Sequence, residues 1–460
     1  MDSSERAKII KRGDECAPVD FMEKGDEFIA PDELVPLKRQ AAERTLTRVL
    51  AEMDELFREN RWDDILSIFY PVDEKLPELV EQELDAEVRY KCAFALGKAR
   101  RFDDALSELK RCVERAPENF HFHSSLAYTA YDSLYAARNR ESFLSGKHKS
   151  DRIALAHTHF QKARELRPEG VTNFYREGML YKQLEGKPDR ALPLFAKAVS
   201  NWEGLSEEEK NRRTQERKNY VKALYQLASC QLDAGRADRA LIFVRKCLQE
   251  DERSAYLSLV YKHFALGKVL FNLNAYEEAR DALLFAERFG GKEPVDFVLE
   301  LLARTWLALG RAEKALEAIR RVPERRRRPY IGWTEADILC VMKAYREASD
   351  VLKRSVERDS RSRHKGLVRL ARIAYLLGRF QEAAAHAEAA TLFFREKWQG
   401  VFAEGFFLTA LARFRQGETA AACEALKVLK AHNPHYPGLD RLEATLQNYG
   451  GMESHENGKP

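Results

Sequence analysis

The chain is predicted to be all-α, an array of helical hairpins in which each hairpin repeats the packing of the one before. Three observations predict this. Only 23 Gly and 15 Pro stand among 460 residues and 33% of the residues are charged, a composition that suits long helices better than strands and tight turns. A small residue is followed twelve positions later by Ala at seven places along the chain. Each such Ala opens a second run of apolar residues at helical spacing. The length exceeds one ordinary core and suits a repeat array instead.

The elements follow in order. Residues 1–34 hold 10 acidic and 5 basic residues without sustained periodicity, and read as a flexible arm. Residues 35–86 include AERTLTRVLAEMDELFRENRWDDILSIFYPVDE, a divergent helical hairpin with Trp62 and Ile65 where later repeats carry an aromatic and Ala. An atypical first repeat serves as a cap for an array. From residue 87 to 449 the pairs are Ala93 and Ala105, Ala228 and Ala240, Gly267 and Ala279, and Ala303 and Ala315. They continue as Ala336 and Ala348, Ala371 and Ala383, and Ala410 and Ala422. Gly178 and Ala191 are thirteen apart, which places one extra residue in the turn near Gly186.

Two antiparallel helices that cross closely need small residues where their backbones approach. Apolar residues four and seven after the second Ala, such as Leu109 and Cys112 or Leu283 and Ala286, share its face and fill the gap to the next hairpin. Gly235, Gly310, Gly378 and Gly417 stand at the expected turns, and Pro117, Pro168 and Pro434 close their units. Two inserts lengthen the spacing: residues 137–152 and residues 201–219. In the second, Ser206 and Glu209 read as a capping box that opens an extended helix. Residues 450–460 read as a disordered tail.

This layout resembles the tetratricopeptide repeat, whose unit is about 34 residues. The stretch FALGKVLFNLNAYEEARDALLFAERF, from Phe264 to Phe289, carries the resemblance best. Successive second Ala residues from Ala279 onward are 36, 33, 35 and 39 apart. The resemblance implies an α-α superhelix of about nine to ten hairpins, a protein-binding scaffold or adaptor rather than an enzyme. Some members of the family hold a C-terminal carboxylate with a fixed set of Lys and Asn. Here Ser229, Lys268 and Arg304 stand where the groove Asn would recur, which argues against a chaperone co-factor role.

Catalytic and cofactor signatures are missing. There is no GxxxxGK[ST], no GxGxxG after a strand and no HExxH. His121 with His123, and His157 with His159, read as structural or exposed pairs rather than metal ligands, and no cofactor or metal is expected. The seven cysteines form no CxxC; Cys16 apart, they sit in helical patterns as buried thiols, which suits a reducing, cytoplasmic setting. No run of 18 apolar residues occurs and the N-terminus lacks an apolar signal core, so no membrane partner is expected.

Charge is unevenly spread. The net charge is +4, yet residues 1–86 carry 12 Lys/Arg and 23 Asp/Glu, and residues 301–380 carry 20 and 9. In the register of the resembled repeat, the residue after each small position and the residue three before it face the groove. That register, with neighbouring positions, gives Tyr225, Phe264, Lys268, Arg304, Trp333, Lys365, Arg369 and Arg372 as a partner-binding face, with Ser229, Glu300, Asp337 and Val368 beside them. Arg forks suit carboxylates, so an acidic peptide or protein surface is the expected partner. The alternative is RNA or DNA binding by the Arg-rich segment 320–372, with Arg325, Arg326, Arg327 and Arg328 as polyanion contacts. The acidic arm could also occupy the basic groove in competition with a partner.

Overall fold

The computed structural model describes residues 31–291 and 295–446; the expected arm, apart from its last four residues, Cys16 and the expected tail lie outside them. Every regular element is helical, with no strand among the described residues. The chain divides into two compact units, residues 1–185 and 186–460.

The first unit begins with α1 (Pro31–Arg58), which takes in the end of the expected arm. It continues through α2 (Trp62–Phe69), α3 (Val72–Lys75), α4 (Pro77–Glu81), α5 (Ala86–Lys98) and α6 (Phe102–Arg115). Then come α7 (Phe120–Arg138), α8 (Gly146–Leu166) and α9 (Thr172–Met179), the last running into a π-helical turn, Leu180–Glu185. Helix α1 packs on α2, α4 and α5 through Val49, Met53, Ile65, Phe69 and Cys92, all buried.

The second unit holds α10 (Pro188–Glu203), α11 (Glu207–Arg212), α12 (Thr214–Asp233) and α13 (Ala237–Glu250). Next are α14 (Leu259–Asn272), α15 (Tyr276–Arg288), α16 (Asp296–Ala308) and α17 (Ala312–Arg320). After a 3₁₀ turn at Glu324–Arg326 follow α18 (Pro329–Val341), α19 (Tyr345–Arg358), α20 (Arg363–Leu376), α21 (Phe380–Trp398), α22 (Ala403–Arg415) and α23 (Thr419–His432). Residues 439–446 add a final helical stretch.

The small-residue pairs sit where the sequence puts them. Both members of all seven twelve-residue pairs are buried, and the alanines among them are no more than 2% exposed. At Gly267 the approach is closest: a Cβ there would stand 2.6 Å from Leu283 Cγ. Seven residues after the first small position the backbone turns left-handed. Gly235, Gly310, Gly378 and Gly417 do so at φ of 72, 73, 75 and 80°, and Arg100, Asn274 and Lys343 do so without being glycine. The next residue's N–H closes the helix, as Arg311 N donates to Trp306 O at 2.9 Å and Arg379 N to Ala374 O at 2.9 Å.

Two details differ from expectation. The extra residue between Gly178 and Ala191 is absorbed inside the helix, by the π-helical turn Leu180–Glu185, rather than in the turn at Gly186. The capping box at Ser206 forms in both directions, but its helix stops after six residues and the chain restarts at Thr214.

Buried charges are matched locally. Arg89 is 2% exposed and meets the carboxylates of Asp85, Asp73 and Glu108, tying α5 to α3 and α6. Lys262 Nζ reaches Asp251 Oδ2 at 2.9 Å, while Asp251 also accepts from the backbone of Tyr256 and Leu257 at 3.0 Å. Breaking either set would strand a buried charge, at a cost of about 3–5 kcal/mol.

Candidate functional site

First helices of consecutive hairpins lie side by side in the second unit, because each hairpin repeats the same turn and the same crossing. Contacts run from α14 to α16, from α16 to α18, from α18 to α20 and from α20 to α22. The face they share bears an open depression of about 600 Å³. Phe271 of α14, Glu300 and Arg304 of α16, Trp333 and Asp337 of α18 and Arg369 of α20 line it.

Two aromatic rings carry the cations. The Arg304 guanidinium lies 4.9 Å from the Phe271 ring centre. Lys365 Nζ and the Arg369 guanidinium stand 5.6 and 5.5 Å from the Trp333 ring. Such contacts hold long side chains in place at about 0.5–2 kcal/mol each. The floor is acidic. Arg369 forks onto Asp337, with Nε to Oδ1 at 3.0 Å and Nη2 to Oδ2 at 3.1 Å. Glu300 accepts from Thr334 Oγ1 at 2.8 Å and lies 3.9 Å from Arg304. Burial pushes the Glu300 carboxyl up; the Thr334 hydrogen bond and Arg304 pull the other way.

Of the eight residues expected on this face, the depression gathers Arg304, Trp333 and Arg369, with Lys365 over Trp333. Lys268 is exposed on α14. Arg372 is ion-paired with Glu404 of α22. Tyr225 is half-buried on α12 and burial pushes its phenol up to about 12. Phe264 turns into the core, edge-on to Phe297 at 4.6 Å, and Val368, 1% exposed, packs among Ala371, Ala387 and Leu408. Their register placed them on the face, but a helix in contact on three sides leaves too narrow a free arc for both.

The arginine run is divided. Arg327 turns inward, donating to Glu335 Oε2 at 2.6 Å and to Val322 O at 3.1 Å, and Arg320 Nε holds the same buried Glu335 at 3.0 Å. Arg325, Arg326 and Arg328 are exposed. Arg328 and Arg327 line a smaller hollow of about 160 Å³ with Arg354 and Arg358, where Glu324 takes Arg358 at 3.0 Å.

His123, His157 and His159 are held by local contacts, and Cys92, Cys112, Cys230 and Cys247 are buried, whereas Cys340 and Cys423 are half-buried. His123 and His159 approach Nδ1 to Nδ1 at 2.8 Å, and His157 lies between Glu177 and Glu185 at 2.9 and 2.7 Å. Among the described residues no group of three or more His, Cys, Asp or Glu is arranged to hold a metal. Cys247 is buried, and burial pushes its thiol up to about 12; Cys230 is buried as well. No helix among the described residues is long and apolar enough to cross a membrane.

The groove register applied to Ala93 gives Tyr90 and Phe94, and both line a cavity of about 230 Å³ in the first unit. Arg176, at its edge, falls outside that register, which applied to Gly178 selects Tyr175 and Met179 instead.

Sequence profiles of the tetratricopeptide repeat match residues 343–401 and 404–436. Compared with curated proteins, the chain matches none. Among solved structures it is similar to PilW, a type IV pilus biogenesis factor, at 15% identity over 48% of this chain and 97% of that one, with a TM-score of 0.41. Yeast Tom70 is similar at 12% identity over 90% of this chain and 97% of that one, TM-score 0.40. A tetratricopeptide repeat protein of Parabacteroides merdae is similar at 13% identity over 60% and 99%, TM-score 0.42. Residues 343–401 and 404–436 thus match the tetratricopeptide repeat, and the same small-residue hairpins recur in both units of an all-α helical-repeat fold.

Proposed function

We propose that the chain is a non-catalytic interaction scaffold whose second unit holds an acidic peptide or protein segment against the first-helix face. The observation that carries this reading is the pair of ring-supported cations, Arg304 on Phe271 and Lys365 beside Trp333, across an open depression. Asp337 already forks with Arg369, so Arg304 and Lys365 are the cations that an incoming carboxylate takes. The acidic floor sets a geometric demand: the partner's carboxylates must sit at the rim, away from Glu300 and Asp337, while its apolar groups meet Phe271, Leu307 and Trp333. Rim charges govern association rate and salt dependence more than final affinity.

The test is recovery of partners from the native host with wild type and with Arg304→Glu/Lys365→Glu, with nuclease added in parallel. A protein partner that survives nuclease and falls at least tenfold in the double variant is expected. Equal recovery by both proteins would overturn the reading. Arg372 is left alone, because reversing it would set two carboxylates against each other at Glu404.

A second reading, a polyanion bound at the arginine run, rests on Arg328 and Arg354 around the smaller hollow. Nuclease-sensitive recovery with a steep loss between 50 and 200 mM salt would be its signature.

A further inference from the structure

We propose that the first unit contains a receptor for a free carboxylic acid carrying an aryl or alkyl arm, built around Arg176. The proposal stands apart from the groove of the second unit. The cavity of about 230 Å³ lies between α5, α6 and α7 with α9 at its edge, and Tyr90, Phe94, Gly97, Tyr128, Asp132 and Arg176 shape it.

Arg176 is the unusual member. Its guanidinium lies over the Tyr128 ring at 3.7 Å and is half-buried, yet it makes no hydrogen bond or ion pair among the described residues. Other buried or half-buried arginines have carboxylates: Arg89 with Asp85, Arg152 with Asp103, Arg164 with Glu177, Arg327 with Glu335, and Arg413 with Glu388. A cation partly withdrawn from water with no direct acceptor is under-solvated, and contact with one ring offsets only part of that. An acceptor arriving from outside removes the deficit. That makes Arg176 a preorganised anion site rather than a packing residue.

The local charge admits one negative group. Asp132 lies 3.8 Å from Arg100, and Arg100 also holds Glu141 at 2.9 Å. Lys98 sits over Phe94 at 5.1 Å. Lys98, Arg100 and Arg176 therefore face Asp132 and Glu141, leaving a single positive charge to balance.

Ala93, Phe94, Phe102 and Leu109 give the cavity an apolar side, while Ser125 Oγ donates to the Tyr90 hydroxyl at 3.4 Å. A Cβ added at Gly97 would meet nothing within 4 Å, so the space beside Gly97 in the cavity lining is open. A dry cavity of about 150 Å³ accommodates a benzene ring. The somewhat larger volume here fits one ring with a two-carbon chain that carries the carboxylate out to Arg176.

The experiment is isothermal titration of the full chain with 3-phenylpropionate and, separately, with 3-phenylpropionamide, which keeps the shape and removes the charge. The acid is expected to bind at least tenfold more tightly than the amide. Arg176→Gln should lose that preference. Gly97→Leu, whose Cβ meets no atom within 4 Å and whose side chain would take up cavity space, should lose binding of both compounds. Melting of the unliganded Arg176→Met protein separates site from scaffold: a Tm equal to or above wild type is expected. Absent acid binding, an amide that binds equally well, an acid that binds Arg176→Gln unchanged, or a clear fall in Tm for Arg176→Met would each overturn the proposal.

Discussion

A half-buried histidine that resists protonation makes folding sensitive to mild acid. His123 Nε2 faces the Pro117 carbonyl at 2.8 Å and must donate to it, so His123 Nδ1 accepts from the Nδ1–H of His159. Burial, with His123 and Lys110 nearby, lowers His159 to about 4. Its unfolded form takes up a proton near 6.5, so the unfolded chain binds more protons throughout the window from 6.5 down to 4. Stability falls as the pH falls through that window. His157 works in the opposite sense. Its two carboxylates raise it against burial, so its contribution is complete below 6.5 and is lost only at higher pH. His263 and His364 are lowered by burial as well, so the comparison must be with a variant rather than with pH alone. Urea unfolding of His159→Gln should lose on the order of 2 kcal/mol less than wild type between pH 7 and pH 4. Parallel curves for the two proteins across that window would remove His159 as the source. The sequence showed the two His pairs but not this contact, since residues 123 and 159 are brought together only by the crossing of α7 and α8.

At the scale of the hairpin, a small residue and a left-handed turn seven residues later fix the crossing. The pattern of Ala and Gly pairs was fully legible, because an α–α crossing imposes the same steric demand in every repeat. What a side chain costs at each place is now specific. Gly267→Ala would gain about 1 kcal/mol of helix propensity, but its methyl would stand 2.6 Å from Leu283 Cγ, and Leu283 is fully buried. The net effect should be a loss of about 1–3 kcal/mol in urea unfolding, since the neighbouring helix must shift. With Leu283→Ala already present the same methyl should cost far less, and simple additivity of the two changes would contradict the contact. Lys343 supplies the converse case. It holds φ at 62° where four other hairpins place glycine, so Lys343→Gly should stabilise by about 0.5–1 kcal/mol, whereas Gly310→Ala, at φ of 73°, should destabilise by a similar amount. The groove was less legible than the hairpins: a register says which residues share a face, but not that Phe264 and Val368 would be claimed by neighbouring helices, nor that Asp337 and Glu404 would engage Arg369 and Arg372.

Over a whole unit, stability follows from nearest neighbours, and that has a consequence for how damage spreads. The second unit has no single centre. One core of buried residues joins Val298, Leu302, Ile319 and Ile331 across α16 to α18, and another joins Ala410, Leu426, Leu429 and Leu442 at its C-terminal end. In an array of this kind each hairpin is stabilised by its own closure and by the two hairpins beside it. Leu429→Ala and Ile319→Ala delete comparable buried groups, each at about 2–5 kcal/mol, but at different depths in the array. Hydrogen exchange should separate them. Leu429→Ala should speed exchange in α22, α23 and the stretch 439–446, and leave α14 to α17 within twofold of wild type. Ile319→Ala should speed exchange on both sides, from α16 through α19, because an interior repeat has two interfaces to lose. Equal loss of protection throughout the unit in the Leu429→Ala protein would mean a single cooperative core, and the nearest-neighbour account would fail. The distinction bears on function. If the C-terminal hairpins open without disturbing α14 to α18, the depression between Phe271 and Trp333 persists while the end of the array frays, and partner binding at that face should survive Leu429→Ala but not Ile319→Ala.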